Sequence, residues 1–183
     1  MDIKTYLGFW LKGNFLRKSI VTDKVESLKD FNIETIIENN IRLAVFDFDD
    51  TLSDFHGESI SNDIASFLNE LDSNSIKVAI YSNCSDGRNK VLFEIFEGRN
   101  YFISSQNGKP SPNGYIEILN HYNLKPEDAA MFGDKLGTDI YGAYLTGFKL
   151  RVLLKPYSYI FGGNIAPFKD RFVRRVEKLF ITH

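Results

Sequence analysis

The run Leu43-Ala44-Val45-Phe46-Asp47-Phe48-Asp49-Asp50-Thr51-Leu52 joins a continuous apolar stretch to three closely spaced acids. Four apolar residues with no polar alternation predict a strand buried on both faces, as in a parallel sheet. Carboxylates placed directly after such a strand are costly to bury unless a cation or a reaction holds them together. In extended backbone, residues two apart face the same way, so Asp47 and Asp49 can share one site.

Outward from this run the chain alternates strand-like and helix-like patterns. Lys77-Val78-Ala79-Ile80-Tyr81 reads as a second strand and ends at the polar cluster Ser82-Asn83-Cys84-Ser85-Asp86-Gly87. A short strand is expected near Tyr101-Phe102-Ile103, another at Ala129-Ala130-Met131-Phe132, and a last one over Phe148–Leu154. Between them, Ser59-Ile60-Ser61 opens a helical pattern with Ile64, Phe67, Leu68 and Leu71 on one face, and Val91, Leu92, Ile95 and Phe96 form a second. Ser111-Pro112 starts a third helix, and Thr138-Asp139 a fourth that Gly147 closes. Upstream, residues 25–40 are polar with an amphipathic look; downstream, Phe168, Phe172, Val176, Leu179 and Phe180 recur at helical spacing.

This alternation predicts an α/β fold, Rossmann-like, with a central parallel sheet flanked by helices. Open sheets of this kind bind ligands at the carboxyl ends of their strands. Four strand ends carry suggestive chemistry. The first holds Asp47, Asp49 and Asp50; the second holds Ser82 and Asn83, hydroxyl and amide donors. The third is followed by Gly108-Lys109-Pro110, a fixed positive charge, and the fourth by Gly133-Asp134-Lys135-Leu136-Gly137-Thr138-Asp139, with two more carboxylates. Mg²⁺ takes an octahedral shell of oxygens at about 2.0–2.1 Å, commonly completed by water and substrate phosphate. Taken singly, each piece has an ordinary explanation: an Asp-x-Asp at the surface, a Ser-Asn turn, a Gly-Lys-Pro loop, Asp139 as a helix cap. Their order at four successive strand ends argues for a site.

These residues carry a resemblance. The sequence resembles the haloacid dehalogenase superfamily of phosphatases, whose four motifs match in order: Asp47-Phe48-Asp49-Asp50-Thr51-Leu52, Ser82, Lys109 before Pro110, and Gly133-Asp134 with Asp139. The match spans roughly residues 43–145. It implies Asp47 as the nucleophile that attacks phosphorus. Asp49 would protonate the leaving oxygen and then deprotonate the water. Asp47 and Asp134, with the backbone carbonyl of Asp49, would hold Mg²⁺, and Asp139 would support that metal shell. Ser82 and Lys109 would bind and stabilise the phosphoryl oxygens, and Asn83 would orient the substrate. Asp49 in particular favours a phosphatase over the transferases and dehalogenases of the superfamily.

Substrate choice in this superfamily often lies in cap insertions. Residues 53–76 have room for a loop and one helix, and 85–108 for one helix and one strand, so a capless fold is expected, with an open site suited to a large or surface-presented substrate. At subfamily level (subclass IIIA) the sequence resembles the YqeG-like phosphatases, relatives of the phosphatidylglycerophosphate phosphatases. The segment 25–41, the run from Gly133 to Ile140, Pro156 after the last strand and Arg174-Arg175-Val176-Glu177 carry that likeness. Asp50 departs from it, standing where Asn is usual.

Composition agrees with a globular protein. The 183 residues are 43% hydrophobic and 25% charged, a balance that can bury a sizeable core. They predict one catalytic domain over 1–183, divided into an N-terminal segment (1–40), a core (41–154) and a C-terminal helical extension (155–183). Cys84 is the single cysteine, which excludes a disulfide framework and a cysteine-rich zinc site; packing is the expected role for it. His56 and His121 lack metal-ligand company. No apolar run is long enough to span a bilayer, and the N-terminus lacks the pattern of a secretory signal.

Charge is unevenly laid out. Residues 1–18 carry Lys4, Lys12, Arg17 and Lys18 against Asp2 alone, and residues 149–183 carry eight basic side chains against Asp170 and Glu177, so the middle is strongly acidic. Basic, aromatic ends fit an anionic partner, a lipid surface or nucleic acid; composition alone favours the plainer reading, aromatics in the core behind a solvated rim. The N-terminal Tyr6, Leu7, Phe9, Trp10, Leu11, Phe15 and Leu16 suit either a membrane interface or packing on the sheet. For Tyr157, Tyr159, Phe161, Phe168, Phe172 and Phe180, core packing is expected.

Together with the resemblance, these features lead to an expected Mg²⁺-dependent phosphatase of an anionic lipid phosphomonoester, phosphatidylglycerophosphate, without nucleic acid as a partner. Its expected place is cytoplasmic and peripheral on the inner face of a membrane, or the mitochondrial matrix side in a eukaryote. A phosphatase of a soluble sugar, nucleotide, nucleic-acid-end or protein phosphate is the alternative within the same chemistry. A binding module that keeps the fold without turnover is the alternative outside it.

Overall fold

In the computed structural model, residues 20–83, 86–104, 107–168, 171 and 175 are described. Among them, six strands form one parallel sheet: β1 (Asp23–Val25), β2 (Leu43–Phe46), β3 (Lys77–Tyr81), β4 (Phe102–Ser104), β5 (Ala129–Gly133) and β6 (Leu150–Leu154), in the spatial order β1-β6-β5-β2-β3-β4. The helices are α1 (Glu34–Glu38), α2 (Asn62–Ser73), α3 (Asp86–Ile95), α4 (Pro112–Tyr122), α5 (Tyr141–Thr146) and α6 (Tyr157–Phe161). β2 lies inside the sheet, in register with both neighbours: Phe46 stands opposite Ile80 of β3 and opposite Phe132 of β5. That register brings three strand ends level, so the residues just past each strand meet at one edge.

Alternation along the strands builds a core on each face. Ala44, Phe46, Ile80 and Phe132 point to one side, against Ile64, Phe67, Leu68 and Leu71 of α2. Phe46 stacks on Phe132 at 4.8 Å and meets Phe67 edge-on at 6.3 Å. Leu43, Val45, Ala79, Tyr81 and Met131 point to the other side, against Tyr115, Ile118 and Leu119 of α4. Both long helices begin as the sequence predicts. The Ser61 hydroxyl accepts from the Ile64 N–H, and Ser111 caps α4 with Pro112 in its first turn. Gly147 closes α5 with φ 91°, a left-handed cap that favours glycine.

The expected capless α/β architecture is the one observed. β2 is followed by a loop and α2 before β3, and β3 by α3 and β4, with no inserted domain among the described residues. The N-terminal stretch differs from its amphipathic reading. Residues 23–25 extend the sheet as β1 beside β6, a 3-10 turn covers Leu28–Asp30, and only Glu34–Glu38 is α-helical. Its apolar residues Leu28, Phe31 and Ile36 are buried without helical periodicity, Phe31 packing edge-on to Phe132 at 5.0 Å.

A second difference lies after β6. Core packing is the sequence-based expectation for the C-terminal aromatics, but Tyr159 is 46%, Phe161 44% and Phe168 74% exposed. The cause is α6, which turns inward through Ser158 and half-buried Tyr157 and so turns 159–161 outward. Cys84, the aromatic segment 6–16, and Phe172 and Phe180 lie outside the described residues.

Asp50 fastens α6 to the loop after β2. Its backbone carbonyl accepts from the Tyr157 N–H at 2.8 Å, and its Oδ1 accepts from the Ser158 hydroxyl at 2.5 Å and the Ser158 N–H at 3.2 Å. Asp50 is fully buried with φ 62°, a left-handed conformation that Asp and Asn tolerate best among non-glycine residues. Asp50→Asn is therefore expected to melt close to wild type. Asp50→Val, with a β-branched side chain in that conformation and Ser158 left unsatisfied, is expected to lose roughly 2–4 kcal/mol. Equal melting temperatures for wild type and Asp50→Val would remove this fastening from the fold's determinants.

Candidate active site

Each expected side chain emerges from the carboxyl edge of the sheet. Asp47 is the first residue beyond β2, and its N–H donates to the Phe132 carbonyl at 3.0 Å, so it still belongs to the sheet's hydrogen-bond ladder. Ser82 follows β3, 3% exposed, tied to β4 through its N–H on the Ser104 carbonyl at 3.1 Å. Asp134 follows β5 and is 5% exposed.

Lys109 comes from the loop between β4 and α4. Its Nζ lies 2.7 Å from Asp47 Oδ1 and 2.7 Å from Asp139 Oδ1, and its side chain is 2% exposed. Burial by itself would lower the ammonium's pKa, but Asp139 and Asp47 outweigh it and hold Lys109 above the usual lysine range. The loop that delivers Lys109 is clamped from β3. The Asn83 amide accepts from the Lys109 N–H at 2.6 Å and donates to the Lys109 carbonyl at 3.1 Å. The Tyr81 hydroxyl donates to the Asn107 carbonyl at 2.9 Å; burial pushes that phenol up to about 12, so it stays a donor. The sequence assigns Asn83 to orienting substrate, and the structure shows its amide engaged with the Lys109 backbone.

Asp139 sits in a widened π-helical turn, Leu136–Ile140, that leads into α5. Its Oδ2 accepts from the Lys135 N–H at 3.0 Å and its Oδ1 from the Thr138 hydroxyl at 3.2 Å. From the helix layer the buried Tyr115 hydroxyl reaches the carbonyls of Thr138 (3.1 Å) and Asp139 (2.9 Å), holding the turn from behind. Burial raises the Asp139 carboxyl above the usual carboxylate range, against the pull of Lys109. Gly133 makes this approach possible, because a Cβ there would stand 2.5 Å from both Cβ and Oδ2 of Asp139.

Asp47, Asp134 and Asp139 each offer a carboxylate oxygen, and these atoms lie within 4.8 Å of one another, all buried. Three buried carboxylates against the single buried ammonium of Lys109 leave an excess of negative charge, and the donors are all oxygen. That donor set fits a hard divalent cation.

Asp49 takes a different place. Its Oδ1 accepts from the His56 N–H at 3.0 Å and from an Arg88 guanidinium nitrogen, Nη2, at 3.1 Å. Its side chain is 13% exposed beside the buried cluster. Arg88 belongs to none of the four strand-end motifs, and no spacing signal in the sequence marks it, since it pairs with Asp49 across 39 residues.

Comparison with known proteins bears on this edge of the sheet. The family model for a haloacid dehalogenase-like hydrolase matches residues 57–143. Just under half of the chain is thus similar to that hydrolase family. The matched stretch includes Ser82, Lys109, Asp134 and Asp139. Over 168 residues the chain is 26% identical to the probable phosphatase YqeG of Bacillus subtilis, covering 91% of this chain and 92% of that protein. Among solved structures, CbbY of Rhodobacter sphaeroides, crystallised with xylulose-(1,5)bisphosphate, superposes with a TM-score of 0.51 at 16% identity, over 69% of this chain and 91% of that one. An uncharacterized protein of Listeria monocytogenes gives 0.52 at 14% identity, over 76% and 98%. At these identities the two structures bear on the fold alone, which they share with this chain.

Lys109 is the counter-charge that keeps two buried carboxylates at close range. Lys109→Met is expected to lower thermal stability by about 3–5 kcal/mol, the usual cost of stripping one partner from a buried ion pair. Millimolar Mg²⁺ is expected to recover more stability in that variant than in wild type, because a bound cation would replace the lost charge. A variant that melts like wild type would show that the ion pair contributes nothing to folding.

Proposed function

We propose that this hydrolase domain is a phosphatase of phosphate monoesters that works through an aspartyl-phosphate, with Mg²⁺ as cofactor and phosphatidylglycerophosphate as substrate. The observation that carries the reading is the buried set of Asp47, Lys109, Asp134 and Asp139 at the carboxyl end of a strand inside the sheet. The likeness to the probable phosphatase YqeG along nine-tenths of the chain supports it.

In this reading an Asp47 carboxylate oxygen attacks phosphorus, and the bond from phosphorus to the ester oxygen breaks. Asp49 gives its proton to the departing oxygen. Asp49 then takes a proton from water as that water attacks the aspartyl-phosphate; phosphate leaves and Asp47 is restored. Lys109 orients Asp47 through their ion pair and offsets repulsion between the carboxylate and the incoming phosphate. Ser82 stands at the neighbouring strand end to donate to a phosphoryl oxygen. Asp47 and Asp134, with the backbone carbonyl of Asp49, would hold Mg²⁺, and Asp139 would support them; the ion supplies positive charge to the phosphoryl oxygens when bound.

Two features support a lipid substrate. No inserted domain closes over the strand ends among the described residues, so a large substrate can approach. Tyr159, Phe161, Ile165 and Phe168 are exposed in the segment beyond β6, near Lys29 and Arg171, whose cations lie 5.0 and 5.9 Å from the Phe161 and Phe168 rings. Aromatic and basic side chains together suit the interface of an anionic membrane. None of the described helices is long and apolar enough to cross one.

Phosphate release from phosphatidylglycerophosphate in mixed micelles with Mg²⁺ tests the reading. Wild type is expected to release phosphate, EDTA to stop it, and Asp47→Asn to lower the rate by about a thousandfold or more while still folding, as a cooperative melting curve would show. Turnover of an aryl phosphate without turnover of the lipid would keep the phosphatase and discard the lipid substrate. Turnover of neither would favour a binding module.

A further inference from the structure

Arg88 is a charged side chain that the proposed reaction does not use, and it is nine-tenths buried. Burying a guanidinium costs several kcal/mol unless partners replace its water. Those partners are specific. Nη2 donates to Asp49 Oδ1 at 3.1 Å and also to the Gly57 carbonyl, and the guanidinium lies over the Phe48 ring, 5.1 Å from its centroid. Phe48 is itself fully buried and packs edge-on to Phe96 at 6.0 Å. The cation therefore rests on a fixed ring and joins α3, the 53–59 loop and Asp49 at one point.

The geometry at Asp49 is one-sided. Both of its hydrogen bonds, from Arg88 and from the His56 N–H, fall on Oδ1, and no described residue donates to Oδ2. His56 has φ 58°, so the loop bends sharply where it presents that N–H. A carboxylate anchored by one oxygen keeps its rotamer while the other oxygen stays available for a proton.

We propose that Arg88 is the positioning residue for Asp49, fixing the carboxylate through Oδ1 so that Oδ2 carries the proton to and from the reacting oxygens. This rests on the reading of Asp49 as acid and base. In the first step the proton on Oδ2 passes to the ester oxygen as its bond to phosphorus breaks; in the second Oδ2 takes a proton from the attacking water. Placement matters here because an error of about 1 Å in a reacting group can cost roughly 10²-fold in rate. Arginine suits the task better than lysine: its planar head can lie over the Phe48 ring while one nitrogen, Nη2, donates to both Asp49 and Gly57.

The test compares two esters that differ in their need for a proton: p-nitrophenyl phosphate, with a good leaving group, and phenyl phosphate, with a poorer one. kcat/KM is measured with Mg²⁺ for wild type, Arg88→Met, Arg88→Lys and Asp49→Asn, alongside melting curves. Arg88→Met is expected to lose about tenfold or more beyond its loss on p-nitrophenyl phosphate when the ester is phenyl phosphate, with KM for each ester within about twofold of wild type. Arg88→Lys is expected to recover part of that difference. Equal losses on the two esters, or a loss carried by KM, would overturn the proposal and give Arg88 a structural or substrate-binding role. Asp49→Asn separates the two claims. If it discriminates between the esters and the Arg88 variants do not, positioning fails while the acid role stands. If Asp49→Asn does not discriminate, the acid role fails, and no turnover by wild type removes the phosphatase reading with it. Should Arg88→Met not fold, the same comparison with Arg88→Lys decides, because lysine keeps the charge and loses the planar contact.

Discussion

A single ammonium group holds the carboxyl edge of this sheet together. Asp47 belongs to the end of β2 and Asp139 to the turn before α5, and both would be repelled from so close an approach in a dry environment. Lys109 lies 2.7 Å from each and reverses that balance. Much of the surrounding structure serves its placement. Asn83 grips its backbone on both sides, Tyr81 props the preceding loop at Asn107, and the Tyr81 ring lies 5.4 Å below the ammonium. The cost of burying three charges is thus met by a scaffold that reaches from β3 through the 107–109 loop.

Parallel register explains why residues far apart in sequence converge. Phe46 stands beside both Ile80 and Phe132, so Asp47, Ser82 and Asp134 leave the sheet at nearly one level. The helices that cover the sheet then act from behind. Tyr115 of α4 supports the turn that carries Asp139, while α3 supplies the guanidinium that meets Asp49. The two carboxylates two residues apart in the first motif therefore rest on different supports, one on a lysine from a loop and one on an arginine from a helix.

Much of this was legible in the sequence, for definable reasons. Buried parallel strands leave continuous apolar runs, so Leu43–Phe46 and Ala129–Phe132 declared themselves, and amphipathic α2 and α4 carried their caps in Ser61 and Ser111. The strand-end residues came with the topology. What stayed hidden depends on contacts between distant residues. Arg88 sits in a helix of weak amphipathicity and pairs with Asp49 across 39 residues. The Asn83 amide is turned to a backbone that no local pattern links to it. The aromatics after β6 looked like core because apolar side chains usually are, yet α6 is too short to turn them all inward. At position 50 the left-handed backbone and the bonds from Ser158 suit Asp and Asn alike, and nothing in the structure explains Asp there in place of Asn.

The turn at Leu136–Ile140 has a consequence for how the chain can vary. A π-helical turn accommodates an extra residue relative to an α-helix, and such turns commonly sit at functional sites. Here the wider loop carries Asp139 back over Gly133 before α5 continues. Deleting one residue from this stretch would let the backbone relax into a regular helical turn and so remove the widening that carries Asp139. Length in this segment is therefore constrained more tightly than composition. Homologues are expected to exchange side chains here more readily than they gain or lose a position, while the loop around Gly162 and Gly163 has no such turn to keep.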